Sequence, residues 1–294
     1  RLSVTLVMEK QVKRIEMTDP GFLVTTADKE TFTAGSVILA CGGKASAIRG
    51  SRGDGYYLAS CLGHEIAEPV PALVQLHAAD PLVKMAAGVR ADAGITTWID
   101  DKKTAFWQGE LQITDYGLSG IVVFQSSRLA AYGLLEKKDV CLEVDFLPEY
   151  AKTEAEELLQ RRLQMREGNL TLEQSLQGLL HDKLIDPILK RAGLSAEKLA
   201  GDCDKEDVTR LLAALRHYVV KITDTHGFSN AQVTAGGVKT DRIDPKTMES
   251  ELVPGLFFAG EVLDVDGICG GYNLQWAWSS GAVAGKNAAK EEKN

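Results

Sequence analysis

The sequence predicts an α/β fold interrupted by a long insert, and three observations predict it. Near the carboxyl end an apolar strand, Leu256-Phe257-Phe258-Ala259, runs into a turn at Gly260, then an acidic loop, then a helix opening at Gly270-Gly271. Between residues 71 and 147 apolar residues alternate at period two. From Pro148 to Thr225 they recur at helical spacing. A strand feeding a glycine-rich helix start is how α/β folds present bare backbone N–H groups to an electron-rich ligand. The same spacing also fits a βα crossover that holds nothing, and the spacing by itself leaves both readings standing.

Residues 1–70 and 232–294 read as two pieces of one α/β domain, 71–147 as a β-rich insert subdomain and 148–231 as a helical one. In the first piece, strand-like alternation covers Leu2 to Met8 and Val12 to Met17, and a turn at Asp19-Pro20-Gly21 returns the chain into Phe22 to Thr26. Thr31-Phe32-Thr33 leads to the apolar strand Val37 to Ala40, and a helix from Gly55 to Leu62 stops at Gly63. In the β-rich insert, Gly88 to Ala93, Ile95 to Ile99 and Val140 to Phe146 alternate, with a hairpin turn at Asp100-Asp101-Lys102-Lys103. Ser119 is the expected N-cap of a helix running to about Leu135. In the helical section, Glu154 to Arg166 ends near Gly168, Thr171 with Gln174 makes a capping box, and Leu184 to Arg191 ends at Gly193. Lys205 to Ile222 reads as one helix carrying Leu211, Leu215, Tyr218 and Ile222 on a common face. Lys290 to Asn294 is a polar tail.

The chain has 294 residues, 45% hydrophobic and 25% charged, enough for about two to three domains and unlike a disordered polymer. A net charge of −8, with no basic tract interleaved with aromatics, argues against nucleic acid as a main partner. No apolar run reaches the roughly 18 residues of a membrane helix and no signal peptide is visible, so a cytoplasmic protein without membrane contact is expected. Five scattered cysteines (Cys41, Cys61, Cys141, Cys203, Cys269) form no CxxC pair, which points to reduced thiols rather than a disulfide framework, a zinc site or a redox disulfide. The histidines show no HxxxH or HxH pattern, so no metal is expected.

Leu256 to Gly285, LFFAGEVLDVDGICGGYNLQWAWSSGAVAG, resembles GLxFAGEVLDVDGxxGGYNLQWAxSSG, the carboxyl-terminal signature of a bacterial flavoprotein family, the HI0933-like (BaiN-type) NAD(P)/FAD-dependent oxidoreductases. Three further stretches match in family order. VILACGG at Val37 to Gly43 resembles a strand ending in ATGG, and GELQITDYGLSG at Gly109 to Gly120 resembles GELLFTHxGLSG. VTAGGV at Val233 to Val238, followed by the DPKTME of Asp244 to Glu249, resembles VTAGGVxxxxIDPKTMES. The resemblance extends from about Val12 to Gly285. It departs at Asp115, where the family usually has His, at Arg52, where Thr is common, and at Cys41 within the ATGG-like turn.

What the resemblance implies is a Rossmann-like FAD-binding domain of the glutathione-reductase-like kind, carrying a β-rich subdomain and a small helical bundle as inserts. The N–H groups of Gly271, Tyr272, Asn273 and Leu274 would face the N1/C2=O end of the flavin, where reduction places negative charge; otherwise Gly270-Gly271 merely permit tight helix–strand packing. Glu261, after Gly260, would accept from ribityl or pyrophosphate-side hydroxyls, its alternative being an exposed loop carboxylate. Ala40, Gly42 and Gly43 would let backbone pass close to the cofactor. Asp54 would line the flavin, and Val12 would offer backbone groups to adenine or simply be a β core residue. Thr234, Gly236 and Gly237 would form a mobile turn near the isoalloxazine. Thr114, Asp115 and Tyr116 would touch the substrate, with Asp115 lacking the near-neutral titration of the His it replaces. Cys269 and His226 are read as loop and packing residues.

A flavoprotein of this kind begins with strand, GxGxxG and helix, and no GxGxxG is present in this sequence. The nearest approach, Gly50-Ser51-Arg52-Gly53-Asp54-Gly55, has the wrong order. The sequence therefore reads as a truncated fragment whose missing amino-terminal segment, roughly 100 residues with most of the first βαβ unit, would be its partner and would grip the pyrophosphate. The fragment alone is expected to bind FAD weakly or not at all and to be inactive. The parent is expected to pass electrons from NAD(P)H through FAD to a small organic acceptor, with reduction of a conjugated C=C bond as one form. The alternatives are a flavin-binding sensor or scaffold without turnover, and flavin-dependent modification of RNA, which the acidic balance disfavours.

Overall fold

In the computed structural model, which describes residues 4–46, 51–164 and 170–290, the chain leaves one compact unit at residue 70 and returns to it at residue 233; residues 71–232 form a second unit. In the first unit, β1 (Val12–Met17) and β2 (Phe22–Thr26) form the expected hairpin, and β3 (Thr31–Ala34) extends it into a three-stranded antiparallel sheet. Ile15 and Phe22 turn inward while Lys13 and Arg14 stay exposed, and the β1–β2 ladder shifts register between Val12 and Arg14. β4 (Val37–Leu39) pairs in parallel with β13 (Leu256–Phe258), with Leu39 opposite Phe258. β5 (Ile66–Ala72) pairs with β12 (Val233–Val238). Helix α1 (Asp54–Cys61) stops before Gly63, whose φ of 92° is left-handed, and α8 (Tyr272–Ala288) packs on β13 and β4. Phe22, Leu39, Leu58, Val238, Leu256 and Phe258 are the centre of this core.

The second unit is a closed barrel with strand order β10-β11-β6-β9-β8-β7. Its strands are β6 (Leu76–Ala78), β7 (Arg90–Ile99), β8 (Lys102–Ile113), β9 (Gly117–Ser119), β10 (Val140–Asp145) and β11 (Tyr218–Thr225). Asp100 and Asp101, at φ 47° and 60°, make the tight β7–β8 turn, and Asp is among the few residues besides glycine that accept such a backbone. Short α2 (Pro81–Met85) is capped by Asp80, and α3 (Ile121–Leu135) packs across strands from β7 to β11. Gly133 permits that approach, because a Cβ there would lie 2.8 Å from Val140 Cγ2. Helices α4 (Lys152–Leu163), α5 (Leu172–Leu176), α6 (Asp182–Ala192) and α7 (Lys205–Arg216) share one continuous core with the barrel. Buried Asp207 is held by Lys198 and Arg210 at 2.5 and 2.6 Å.

Several expectations require correction. Val4 to Met8 form no strand and leave Val4, Leu6 and Met8 exposed, since alternation without a partner ladder does not make a strand. Ser119 is not a helix cap: it pairs with Gln112 in the β8–β9 ladder, and Gly120 caps α3 at φ 96°. Only glycine fits there, a Cβ falling 2.4 Å from Glu110 O. The predicted helix Lys205 to Ile222 breaks at His217, and Tyr218 to Thr225 become β11, a β-branched run whose pairing with β10 and β6 closes the barrel. The VTAGGV stretch is not a mobile turn but the buried strand β12, with Gly236 and Gly237 at φ 88° and 134°. The helical section therefore contributes a barrel strand, and its helices form no separate bundle with a core of their own. Expectations for Leu2 and Ser3, for Gly50, for the end of α4 between residues 165 and 169 and for the tail beyond Lys290 fall outside the described residues.

Among the described residues, no helix is long and apolar enough to cross a membrane.

Candidate functional site

The opening of α8 has the features that the sequence suggests. Gly271 is its N-cap at φ 87°, no side chain caps the helix, and nothing lies within 4 Å of where a Gly271 Cβ would be. No side chain of the N-cap residue bonds the first-turn amides of this 17-residue helix, and the macrodipole adds partial positive charge there. Tyr272 and Leu274 are 59% and 61% exposed. Asn273 uses its side chain inward: Oδ1 accepts from Gly267 N at 2.8 Å and Nδ2 donates to Gly267 O at 2.9 Å, fixing the acidic loop before the helix. Gly260 is also tied to α8, donating its N–H to Ser280 Oγ at 2.9 Å and accepting from Trp276 Nε1 at 3.2 Å.

Behind this mouth, Glu261 is mostly buried rather than an exposed loop carboxylate. Its Oε1 accepts from Thr234 N at 2.5 Å, and burial raises its pKa, with Asp266 adding to the effect and the Thr234 bonds opposing it. Thr234 Oγ1 accepts in turn from Lys44 N and Ala45 N at 2.9 Å each. Gly43 passes so close that a Cβ would lie 2.5 Å from Thr234 Oγ1 and 2.8 Å from Glu261 Oε1. Gly42 takes a left-handed φ of 73°, and Ser51 Oγ donates to Gly43 O at 2.6 Å to hold the turn. Tyr56 is buried beside this network; its hydroxyl finds no hydrogen-bond partner among the described residues, and burial followed by the Glu261 charge pushes its pKa up. Gly236 has a different reason to be glycine, since Glu68 O lies 2.6 Å from its hypothetical Cβ across the β5–β12 pair.

The turn at Cys41 leads out of the Glu261 network into a cleft of about 840 Å³, lined in part by Gln11, Val12, Ala40, Cys41, Arg52 and Asp54. Val12 lies on β1, the edge strand of its three-stranded sheet among the described residues, so its outer side presents backbone groups that pair with no strand there. Asp54, in the first turn of α1, accepts from Gln11 Nε2 at 2.9 Å. Val12, Ala40 and Asp54 thus share one cleft, Gly42 and Gly43 connect it to Glu261, and Gly260 joins Glu261 to α8. Gly236 stands apart as a packing residue.

In the second unit, the three expected substrate residues divide. Thr114 locks its own turn, its hydroxyl donating to Gly117 O at 3.0 Å and accepting from Gly117 N at 3.1 Å, and Asp115 is exposed. Tyr116 stacks on His226 with ring centroids 4.4 Å apart and planes 6° from parallel. His226 Nδ1 lies 2.7 Å from His77 Nε2, a hydrogen bond between imidazoles 149 positions apart. Sequence reasoning missed this pair, since no motif connects the two histidines; His77 lies within β6 and His226 directly after β11, neighbouring strands of the barrel. Among the described residues, no three His, Cys, Asp or Glu side chains gather to hold a metal, and all five cysteines are free thiols.

A parallel strand pair that ends in glycine turns and feeds a helix with a glycine-opened mouth is the arrangement of a Rossmann-like α/β domain. The model of the HI0933-like protein Rossmann domain matches residues 1–287, and the chain belongs to the HI0933-like family. It is 42% identical over 290 residues to a 3-dehydro-bile acid delta(4,6)-reductase of Clostridium scindens, covering 99% of this chain and 70% of that protein. It is 30% identical to ribosomal RNA dihydrouridine synthases of Haemophilus influenzae, covering 92% of this chain and 64% of the relative, and of Escherichia coli, covering 95% and 66%. The chain thus spans about two thirds of the length of these relatives.

Proposed function

We propose that this chain belongs to an FAD-dependent oxidoreductase that takes electrons from NAD(P)H and reduces a C=C bond conjugated to a carbonyl in a small organic acceptor. The observation that carries the reading is the uncapped mouth of α8, open at Gly271 and continuous through Gly260 and Glu261 with the Gly42-Gly43 turn. Those residues fit a flavin: bare amides suit the electron-rich pyrimidine edge, and a carboxylate held by the Thr234 amide suits ribityl hydroxyls. The β1 edge at Val12 and the cleft at Ala40 and Asp54 suit the adenosine half. When bound, the flavin would supply hydride chemistry that no side chain possesses. The chain's part is to hold the ring, favour its charged reduced form through the α8 amides by about 0.3 to 1 kcal/mol or more when buried, and keep water away.

The similarity to a 3-dehydro-bile acid delta(4,6)-reductase favours a reductive reading over a sensor or scaffold. The two dihydrouridine synthases keep RNA as a second acceptor class, against which stands the net charge of −8. The test is anaerobic mixing of the FAD-loaded, full-length protein with NADH or NADPH. Bleaching of the flavin band at about 450 nm, followed by its return on adding a conjugated steroid enone, supports the reading. A flavin that binds but is not reduced favours the sensor, and reoxidation by uridine-containing RNA but not by the enone favours the RNA substrate.

A further inference from the structure

We propose that the barrel unit carries a binding site of its own for a small organic cation, an ammonium group on an apolar body. The site is a cavity of about 500 Å³ lined only by residues of the 71–232 unit, and it needs nothing from the flavin reading. Its size lies in the range of small-molecule pockets. The cavity opens where two strands part. The ladder between β7 and β10 ends at the Gly94–Asp145 pair, and Phe146 N turns away to donate to Leu215 O at 2.9 Å. Arg90 to Asp92 of β7 then line one side, and the chain after β10 and the turn into α6 line the other. Phe146, Leu180 and Leu184 supply an apolar wall, each less than a tenth exposed and part of the barrel's core.

Against that wall stand two uncommitted carboxylates, exposed Asp92 and half-buried Glu149. Neither makes a hydrogen bond or an ion pair among the described residues. Their neighbours are all engaged. Asp145 accepts from Leu147 N at 2.8 Å through Oδ1 and holds Arg216 at 2.8 Å through Oδ2. Arg90, the one arginine or lysine lining the cavity among the described residues, gives its guanidinium to Glu110 at 2.9 Å. His181 Nδ1 accepts from Lys183 N at 3.2 Å and so caps α6. The β7–β8 ladder adds an independent sign that a positive charge is wanted, because Asp92 stands directly opposite Glu110. Like charges that face each other across a strand pair destabilise it. Arg90 relieves Glu110 and leaves Asp92 without a counter-charge. An ammonium group supplies what is missing, since it donates three hydrogen bonds and ionised carboxylates only accept. Such charge-assisted bonds are about twice as strong as neutral ones. An apolar body attached to it would displace water from the Phe146, Leu180 and Leu184 wall. An anion would meet two free carboxylates and a guanidinium already taken.

The probe is tryptamine in its ammonium form, titrated into this chain by calorimetry and followed through the melting temperature. Binding at one site is expected, with a rise in melting temperature and a loss of affinity as salt is added. Neutral tryptophol and anionic indoleacetate, of similar shape, are expected to bind at least about tenfold more weakly. Asp92→Asn and Glu149→Gln keep the size of each side chain and remove its charge, and each is expected to weaken tryptamine by about tenfold. Glu149→Arg is expected to abolish its binding. None of these side chains has a partner to lose, so unliganded melting should match wild type, which separates lost binding from lost fold. Four results overturn the site: no tryptamine binding at millimolar concentration, equal affinity for tryptophol, tighter binding of indoleacetate, or tryptamine affinity unchanged in both neutralised variants. No flavin enters the experiment, so failure of the flavoenzyme reading would leave its outcome unaltered.

Discussion

Residues 71–232 close their sheet into a barrel, whereas residues 1–70 with 233–294 hold one three-stranded and two two-stranded open sheets. The difference extends to the surface. Of the seventeen large hydrophobic side chains left exposed among the described residues, thirteen belong to the open unit, including Leu6, Ile38, Tyr272, Leu274 and Trp278, and four to the barrel unit. A closed barrel has no edge and buries its apolar residues in one core. The open unit keeps backbone edges, a bare helix mouth and apolar surface, the raw material of ligand and protein contacts.

The largest expected effect tests the closure. In the barrel, a Cβ at Gly117 would lie 1.9 Å from Leu76 O, a backbone atom with no room to yield. Gly117→Ala should lower the stability of that unit by about 4 kcal/mol, read as a lost or strongly lowered melting transition; a wild-type melting curve would show the barrel to be far more pliable than its packing implies. A smaller effect is expected in the open unit. Glu261→Ala leaves the buried Thr234 N–H without an acceptor and should destabilise by about 1 to 3 kcal/mol, while Glu261→Gln keeps an acceptor and should be nearly neutral. Equal losses for the two variants would remove the hydrogen bond from the account.

The smallest effect is a pH dependence. Burial raises the Glu261 pKa above its ordinary 4.5, so the folded state holds that proton more tightly than the unfolded chain. Its stabilising contribution is complete below 4.5 and is lost as pH rises through the raised value. Asp207, whose pKa is lowered first by Lys198, works in the opposite direction, losing its contribution as pH falls. The difference between wild-type and Glu261→Gln melting temperatures against pH isolates the Glu261 term, and the account expects wild type to lose ground as pH rises across that window. A flat difference curve contradicts it.

Local chemistry was legible where one segment decides the outcome. The Asp19-Pro20-Gly21 hairpin, the Thr171–Gln174 capping box and the Gly193 stop of α6 each follow from a few adjacent residues. The glycine-opened α8 and the buried strand before it were legible for the same reason. What failed depended on distant partners. Tyr218, Val219 and Ile222 fit a helical face and a strand equally well, and only β10 and β6 on either side decide for the strand. Gly236 reads like a cofactor contact until Glu68 O is placed against it. The His77–His226 bond is invisible along the chain, because strand order in the barrel, not sequence distance, brings the rings together.

The central claim is that the α8 mouth holds the electron-rich edge of a flavin, and one substitution tests it most directly. Gly271→Asp places a carboxylate over that mouth, where the left-handed backbone suits Asp better than most side chains and nothing lies within 4 Å to obstruct it. FAD affinity of the full-length protein, measured by fluorescence titration alongside the melting temperature, should weaken by about tenfold or more, equivalent to about 1.4 kcal/mol, while the fold persists. FAD bound as tightly by Gly271→Asp as by wild type would contradict the account.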